Sequence, residues 1–291
     1  MAWKNIKEYT DAMQEGRMVV GHFRKTPGNA SVAGWWTDLG MAAGIPGPNY
    51  YASVPLKAAV LSETGQLTGI FHGDAKSPKE QYLSEMMVCS PSSGMVGNHR
   101  LMDYVLYYPF IDGDDTAPQT VFNNSDDPLL PALPRYTTGG LNAYLVAQAP
   151  TVGGGSYTIT YLNQAGVEKT SPTNYCSTTG AVMGAFVSAP QAAGAGGRNN
   201  HIILDGNDTI TKLISFTNIV PNGGLVALVL AAPLAQITLS EVNTPVELSF
   251  INQRVAPPRI YDHAYLAFMS NTVASVATGI LSGRLNFIWT K

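Results

Sequence analysis

Beyond about residue 118, the chain consists of short apolar or alternating stretches separated by Gly, Pro, Asn and Asp. In residues 156–162 (SYTITYL), aromatic or aliphatic side chains alternate with threonines, which is the two-residue period of a strand with one buried face. The turn residues at 163–166 (NQAG) lead into a second strand at 167–170, so this segment predicts a hairpin. About eleven such stretches recur at intervals of roughly 10–15 residues, a spacing typical of an antiparallel β-sandwich or barrel.

The pattern before that point is mixed. Apolar side chains at helical spacing predict a short amphipathic helix over residues 4–15. A Ser-Pro-Lys-Glu start, which offers an N-cap, a first-turn proline and an early carboxylate, predicts a second helix over residues 78–89. Residues 99–112 are dense in Leu, Tyr, Val and Phe, and we expect them to begin as a helix and end as a strand.

These patterns predict a mainly β protein with two regions. Residues 1–114 are expected to form a mixed, loop-rich N-terminal region or arm with one or two helices. Residues 115–291 are expected to form an antiparallel β-sandwich of jelly-roll type.

Aromatic residues concentrate in a Gly- and Pro-rich segment at residues 34–51. Trp35, Trp36, Tyr50 and Tyr51 lie among four glycines and two prolines, a composition that excludes a long helix or a central strand. Two interpretations remain open for these four side chains. They could anchor a neighbouring subunit, since Trp and Tyr dominate the energetics of protein interfaces, or they could form a small core under the N-terminal loops.

Composition narrows the class of protein. Charged residues make up only 13% of the chain, about half the usual share, whereas Gly (29) and Pro (19) are plentiful. Such a surface suits contact with other proteins more than the open water around a typical cytosolic enzyme. The net charge is -3 and no basic run occurs, so the electrostatic signature of nucleic-acid binding is absent.

Targeting and cysteine patterns add little. Residues 1–20 carry scattered charges without an apolar core, so we expect no secretory signal. The most apolar run, residues 225–230, is too short to cross a bilayer. With only Cys89 and Cys176, a disulfide framework and a CxxC metal site are excluded, and we predict two buried thiols, with one long-range disulfide as the alternative.

Candidate chemistry is sparse. Cys89 and His99 could form a nucleophile and its base, but no known catalytic pattern surrounds them. The turn at residues 112–115 (DGDD) could offer oxygens to Ca²⁺, although it lacks the spacing of an EF-hand and suits an exposed acidic turn. The remaining acid–base candidates are His22, His72 with Asp74, and Asp262 with His263. We therefore predict no enzyme activity and no catalytic residue, cofactor or metal site.

Four stretches resemble virion structural proteins of tailed bacteriophages. They are LMDYVLYYPFIDGDDTAPQT, LPRYTTGGLNAYLVAQAP, SYTITYLNQAGVEKTSP and GGLVALVLAAPLAQITLSE, and the resemblance spans residues 34–241. In that group, a DYxLYYPFID-like segment and an LPRYT-like segment precede a β-rich region. The resemblance implies a component of the particle, associated with the head, and implies no catalytic residues.

The sequence and the resemblance together predict a head-associated protein, either a decoration (cement) or a minor capsid protein, which stabilises the particle through protein contacts. Its expected partners are the major capsid protein, other virion proteins and its own copies, with a trimer suggested by the habit of jelly rolls. We expect assembly in the bacterial cytoplasm, location in the virion, and no specific nucleic acid or membrane partner. The alternatives are a receptor- or glycan-binding fibre or tail protein and, last, a particle-borne hydrolase.

Overall fold

A computed structural model describes residues 6–29, 33–52, 57–63, 69–120, 133–176, 182–189, 201–253, 256–277 and 279–291. Within these ranges the protein is mainly β and carries one α-helix, α1 (Ile6–Gln14). The strands are β1 (Met18–Thr26), β2 (Trp36–Asp38), β3 (Ala43–Ile45), β4 (Ala59–Val60), β5 (Gln81–Cys89), β6 (Gly97–Asp112), β7 (Asn142–Ala147), β8 (Ser156–Asn163), β9 (Glu168–Thr170), β10 (Asn174–Cys176), β11 (Ser188–Ala189), β12 (Ile210–Val220), β13 (Leu225–Leu239), β14 (Val246–Ser249), β15 (Arg259–Ile260), β16 (Tyr265–Thr272) and β17 (Leu281–Trp289).

The strands form three antiparallel sheets. Sheet A has the order β14-β5-β17-β1-β3, with β15 also paired to β5. Sheet B has the order β2-β16-β6-β13-β7, with β4 also paired to β6. Sheet C has the order β11-β10-β8-β12, with β9 also paired to β8.

Sheet B lies at the centre, and its outer face packs against both other sheets. The long strand β13 contributes to two separate cores along its length. Leu228 and Leu230 pack with sheet C side chains such as Phe216, whereas Ile237 and Leu239 pack with the side chains of sheet A. The outward-facing residues of this 15-residue strand change from even to odd numbers along its length, because its pairing with β6 shifts register between Pro233 and Ala235.

Residues 184–187 close sheet B on itself. Their backbone bonds to β7 through Val187 N–H, which donates to Leu145 O (2.9 Å). It also bonds to β2, where Phe186 N–H donates to Trp36 O (3.0 Å). The two edges of the sheet are thereby joined, so the sheet curls into a barrel-like ring with no free edge between β2 and β7.

A third core fills the inside of this ring. On β16, Tyr265, Ala267 and Met269 point into it, while Leu266 and Phe268 point out toward sheet A. The other buried members of the inner core are Trp36, Met41, Tyr51, Leu61, Met102, Tyr104, Tyr107, Tyr144, Val146, Phe186, Ala227, Val229 and Ala231. The interior of a narrow ring of strands accommodates alternating small and aromatic side chains.

The predicted hairpin at residues 156–170 is confirmed as β8 and β9, and the N-terminal helix is confirmed as α1. The predicted helix over residues 78–89 is wrong, because this stretch is strand β5, paired with β17 on one side and β14 on the other. Residues 97–112 are also strand throughout. In both cases pairing with distant strands overrides a local signal that resembled a helix start.

Antiparallel sheets packed face to face confirm the broad sandwich prediction. The predicted division after residue 114 does not follow a division between the sheets. Strand β1 pairs with β17, and β6 pairs with β13 and β16, so strands from the first 114 residues are shared with the C-terminal part.

Candidate functional site

Two stretches that are distant in the sequence meet in one buried ion pair. Asp103 comes from the DYVLYYPFID stretch on β6, and Arg135 comes from the LPRYT stretch that precedes β7. Arg135 Nε donates to Asp103 Oδ2 (2.8 Å), and its Nη2 donates to Asp103 Oδ1 (2.6 Å). Both side chains are almost fully buried, so a planar guanidinium holds a planar carboxylate in a forked contact away from water.

The same ion pair makes three further hydrogen bonds to the backbone. Arg135 Nη2 also donates to the carbonyls of Leu61 (3.1 Å) and Tyr104 (2.7 Å), and Asp103 accepts from Tyr265 N–H (3.1 Å). Burial raises the pKa of Asp103, and the Arg135 charge acts in the opposite direction. Since every contact is internal, this arrangement ties loops to the central sheet and offers no reacting group to a substrate.

A second buried carboxylate lies inside the ring of sheet B. Asp38 accepts hydrogen bonds from the hydroxyls of Tyr51 and Tyr104 (3.0 Å for Tyr104) and from Gly40 N–H (2.7 Å). Burial raises the pKa of Asp38, while these donors and Lys25 lower it. Burial likewise raises the pKa of both tyrosines, so their hydroxyls remain protonated donors.

Lys25 is the matching buried cation. Its ammonium group donates to the carbonyls of Ala42 (3.1 Å), Pro46 (2.7 Å) and Gly47 (3.4 Å), and the residue is almost fully buried. Burial lowers the pKa of Lys25 to about 8, against the attraction of Asp38. These contacts hold the segment that follows β2 against β1, so the role of Lys25 is structural.

The four predicted contact residues separate into two pairs. Trp36 and Tyr51 are buried in the inner core, where the Arg100 guanidinium lies 4.8 Å from the Trp36 ring centroid. Tyr50 is 49% exposed and Trp35 is partly exposed. The internal-core interpretation therefore describes Trp36 and Tyr51, while Tyr50 and Trp35 keep side-chain surface for a neighbour, where subunit contact stays a prediction.

The structure does not bring Cys89 and His99 together as a catalytic pair. Cys89 lies on β5 of sheet A and His99 on β6 of sheet B. Both ring nitrogens of His99 are in hydrogen bonds, Nδ1 with Ser270 Oγ (2.7 Å) and Nε2 with Met95 O (2.8 Å). Burial lowers the pKa of His99 to about 4, and Ser270 is itself fully buried, so this pair faces no solvent.

The other proposed acid–base candidates differ in burial and in hydrogen-bond partners. His72 is buried and bonds to Gln81 Oε1 (3.1 Å) and Ala264 O (3.0 Å), whereas Asp74 is exposed. Asp262 accepts from the backbone N–H groups of Lys76 (2.7 Å) and Ser77 (3.1 Å), which makes it a loop anchor. His22 is exposed on β1.

No group of three or more His, Cys, Asp or Glu side chains suited to a metal ion occurs among the described residues. At residues 112–115 the carboxylates bond to nearby backbone, Asp112 to Asp114 N–H (2.9 Å) and Asp115 to Ala117 N–H (2.9 Å). Cys89 and Cys176 are both free; Cys176 is buried, where it accepts a hydrogen bond from Asn222 (2.7 Å), and Cys89 is partly exposed.

The sequence analysis missed Asp38, Asp103 and Arg135 as centres of buried polar networks. One signal in the sequence could have found them, namely a charged residue within an otherwise apolar stretch. Such a residue needs a partner when the stretch is buried. It also missed an exposed valine, Val152, beside the glycine run at residues 153–155.

Comparison of the chain with protein-family models, curated proteins and solved structures gave no match. In the part of the chain that the structure describes, no helix has the length and apolar character needed to span a membrane.

Proposed function

We propose that this protein is a structural component of a bacteriophage virion, associated with the head as a decoration or minor capsid protein. Its role is to stabilise the particle through contacts with the major capsid protein, with other virion proteins and with its own copies. A jelly-roll-type relation among the sheets and a trimeric state belong to this proposal as well.

One observation carries the proposal. The buried charged groups Asp38, Asp103, Lys25 and Arg135 make internal contacts, while apolar side chains remain exposed at loops, at strand ends and at the start of α1. Those that are at least half exposed are Val152, Val273, Ile45, Ile6, Val167, Ile219 and Val220. A chain with few charges that exposes several apolar side chains suits repeated weak binding in a symmetric assembly.

The experiment uses particles from a phage that lacks the gene for this protein. Purified protein is added back, and particle-bound protein is measured by sedimentation and located by electron microscopy. Saturable binding at symmetric positions on the head supports the proposal. Failure to bind, or binding confined to a tail tip together with glycan binding on an array, would contradict it.

A matched pair of variants tests the aromatic contact. Trp35→Ala with Tyr50→Ala should weaken particle binding while leaving the free energy of unfolding nearly unchanged, because both side chains keep exposed surface. Trp36→Ala serves as the buried comparison and should lower stability, since its side chain lies in the inner core.

A further inference from the structure

Three loops converge at one end of sheet C. They are residues 112–118 from the end of β6, residues 148–155 before β8, and residues 220–224 from the end of β12 to the start of β13. Gly113 N–H donates to Gly224 O (3.0 Å), and Asn222 N–H donates back to Gly113 O (3.0 Å). The third loop joins through Val152 N–H, which donates to Asn222 O (2.9 Å). We call this junction the sheet C tip.

The sheet C tip is packed at backbone contact distance. A Cβ atom added to Gly113 would lie 2.2 Å from Asn222 Oδ1, and one added to Gly155 would lie 2.4 Å from Val220 O. Asn222 is buried at the centre and donates to Cys176 Sγ (2.7 Å). Because only glycine permits this approach, the loops hold one another in place and the tip presents a preorganised surface.

Three exposed side chains at the sheet C tip are apolar. Val152 is 88% exposed, the largest value among the exposed large apolar side chains of the described residues. Ile219 and Val220, at the end of β12, are 51% and 50% exposed. The Val152 side chain lies against Gly223 and the Val220 carbonyl lies against Gly155, so both residues border the same junction, and Ile219 precedes Val220 in the chain.

The charged side chains within the three loops have a single sign. Asp112, Asp114 and Asp115 are exposed on the first of the three loops. None of residues 112–120, 148–155 and 218–224 is Lys or Arg. A partner surface that is acidic would be repelled, whereas Lys or Arg beside an apolar pocket would complement both features of the tip.

We propose that the sheet C tip is a docking surface for a virion protein that offers an apolar pocket bordered by Lys or Arg. Val152 enters the pocket, Ile219 and Val220 cover its margin, and the three aspartates pair with the basic border. This inference rests on the proposed function, because it assigns a surface and a partner chemistry to the attachment to the particle.

The test again uses particles that lack this protein, with binding isotherms measured at low and high salt. Val152→Asp should weaken binding by about tenfold or more, because a carboxylate cannot enter an apolar pocket. Val167→Asp is the matched control: Val167 is 52% exposed at the β8–β9 turn of the same sheet, and this change should leave binding unaltered. Asp114→Asn with Asp115→Asn should weaken binding at low salt and reduce its salt dependence.

The outcomes separate this inference from the proposed function. If the wild-type protein does not bind the particles, the proposed function fails and the docking assignment fails with it. If the wild type binds and Val152→Asp binds equally well, the docking assignment alone is overturned. It is also overturned if Val152→Asp abolishes self-association in ultracentrifugation while particle binding persists, since the partner of the tip is then a second copy. Equal melting temperatures for Val152→Asp and Val167→Asp control for folding.

Discussion

Replacing Arg135 by Met tests whether the buried ion pair holds the loops to the central sheet. The variant removes two hydrogen bonds to the Asp103 carboxylate, of 2.8 and 2.6 Å, and the bonds to the carbonyls of Leu61 and Tyr104, while Asp103 keeps the donor from Tyr265. At about 1.5–3 kcal/mol for each hydrogen bond to a charged group, the two bonds of the ion pair alone give an expected loss of about 3–6 kcal/mol. Breaking a buried pair on one side typically costs about 3–5 kcal/mol, which agrees.

The assay is urea denaturation followed by tryptophan fluorescence. The control is Arg259→Met, because Arg259 forms a partly exposed pair with Glu80 (3.0 Å) and should change the free energy of unfolding by less than about 1 kcal/mol. The double variant Asp103→Leu with Arg135→Met should be more stable than Arg135→Met alone, since no unpaired charge is left behind.

The change in the free energy of unfolding with pH tests whether the effect of Arg135→Met is ionic. In Arg135→Met, burial still raises the pKa of Asp103 and the opposing guanidinium is gone. The folded state then binds a proton more tightly than the unfolded state, so its stability is greatest at low pH and decreases as pH rises above about 4. The loss relative to wild type should therefore be larger at pH 8 than at pH 5. An equal loss at both pH values, or a double variant no better than the single, would refute the ionic explanation.

Two further predictions concern buried polar groups. His99 has a folded-state pKa of about 4 because it is buried, below the usual value of 6.5. The folded state therefore binds fewer protons, and up to about 3 kcal/mol of stability should be lost as pH falls from about 6.5 to 4. Chemical denaturation across that range should show a smaller loss for His99→Asn, and an equal loss would contradict the assignment. Tyr51→Phe removes a donor to the Asp38 carboxylate and should cost about 1.5–3 kcal/mol. Its comparison is Tyr107→Phe, which loses a bond to the neutral carbonyl of Ala52 (2.9 Å) and should cost about 1 kcal/mol; thermal unfolding that ranks the two variants the other way would count against a charged Asp38.

Sequence pattern predicted those elements whose signal lies within a few consecutive residues. The alternation of Tyr157, Ile159 and Tyr161 with threonines, followed by a turn, identified the β8–β9 hairpin, because period and turn chemistry are both local properties. The helical spacing over residues 4–15 predicted the helix observed as α1 for the same reason.

Local pattern failed at β5, where Pro78 and Glu80 resembled a helix start. The stretch Gln81–Cys89 is a strand because β17 and β14 bond to its two edges, and those partners lie about 150–200 residues further along the chain. A single-sequence pattern contains no information on such pairing, since the hydrogen bonds are made by backbone groups that every residue carries.

The sequence by itself determined that the chain builds many short antiparallel strands with few charges, because composition and period act residue by residue. Only the tertiary structure decided that sheet B closes into a ring and that Asp103 pairs with Arg135. It also decided that Trp36 and Tyr51 are buried while Val152 is exposed. The physical reason is that burial and pairing depend on which distant segments share a space. That arrangement sets the free energy of removing charged groups and apolar surface from water. No short stretch of the chain contains the information on it.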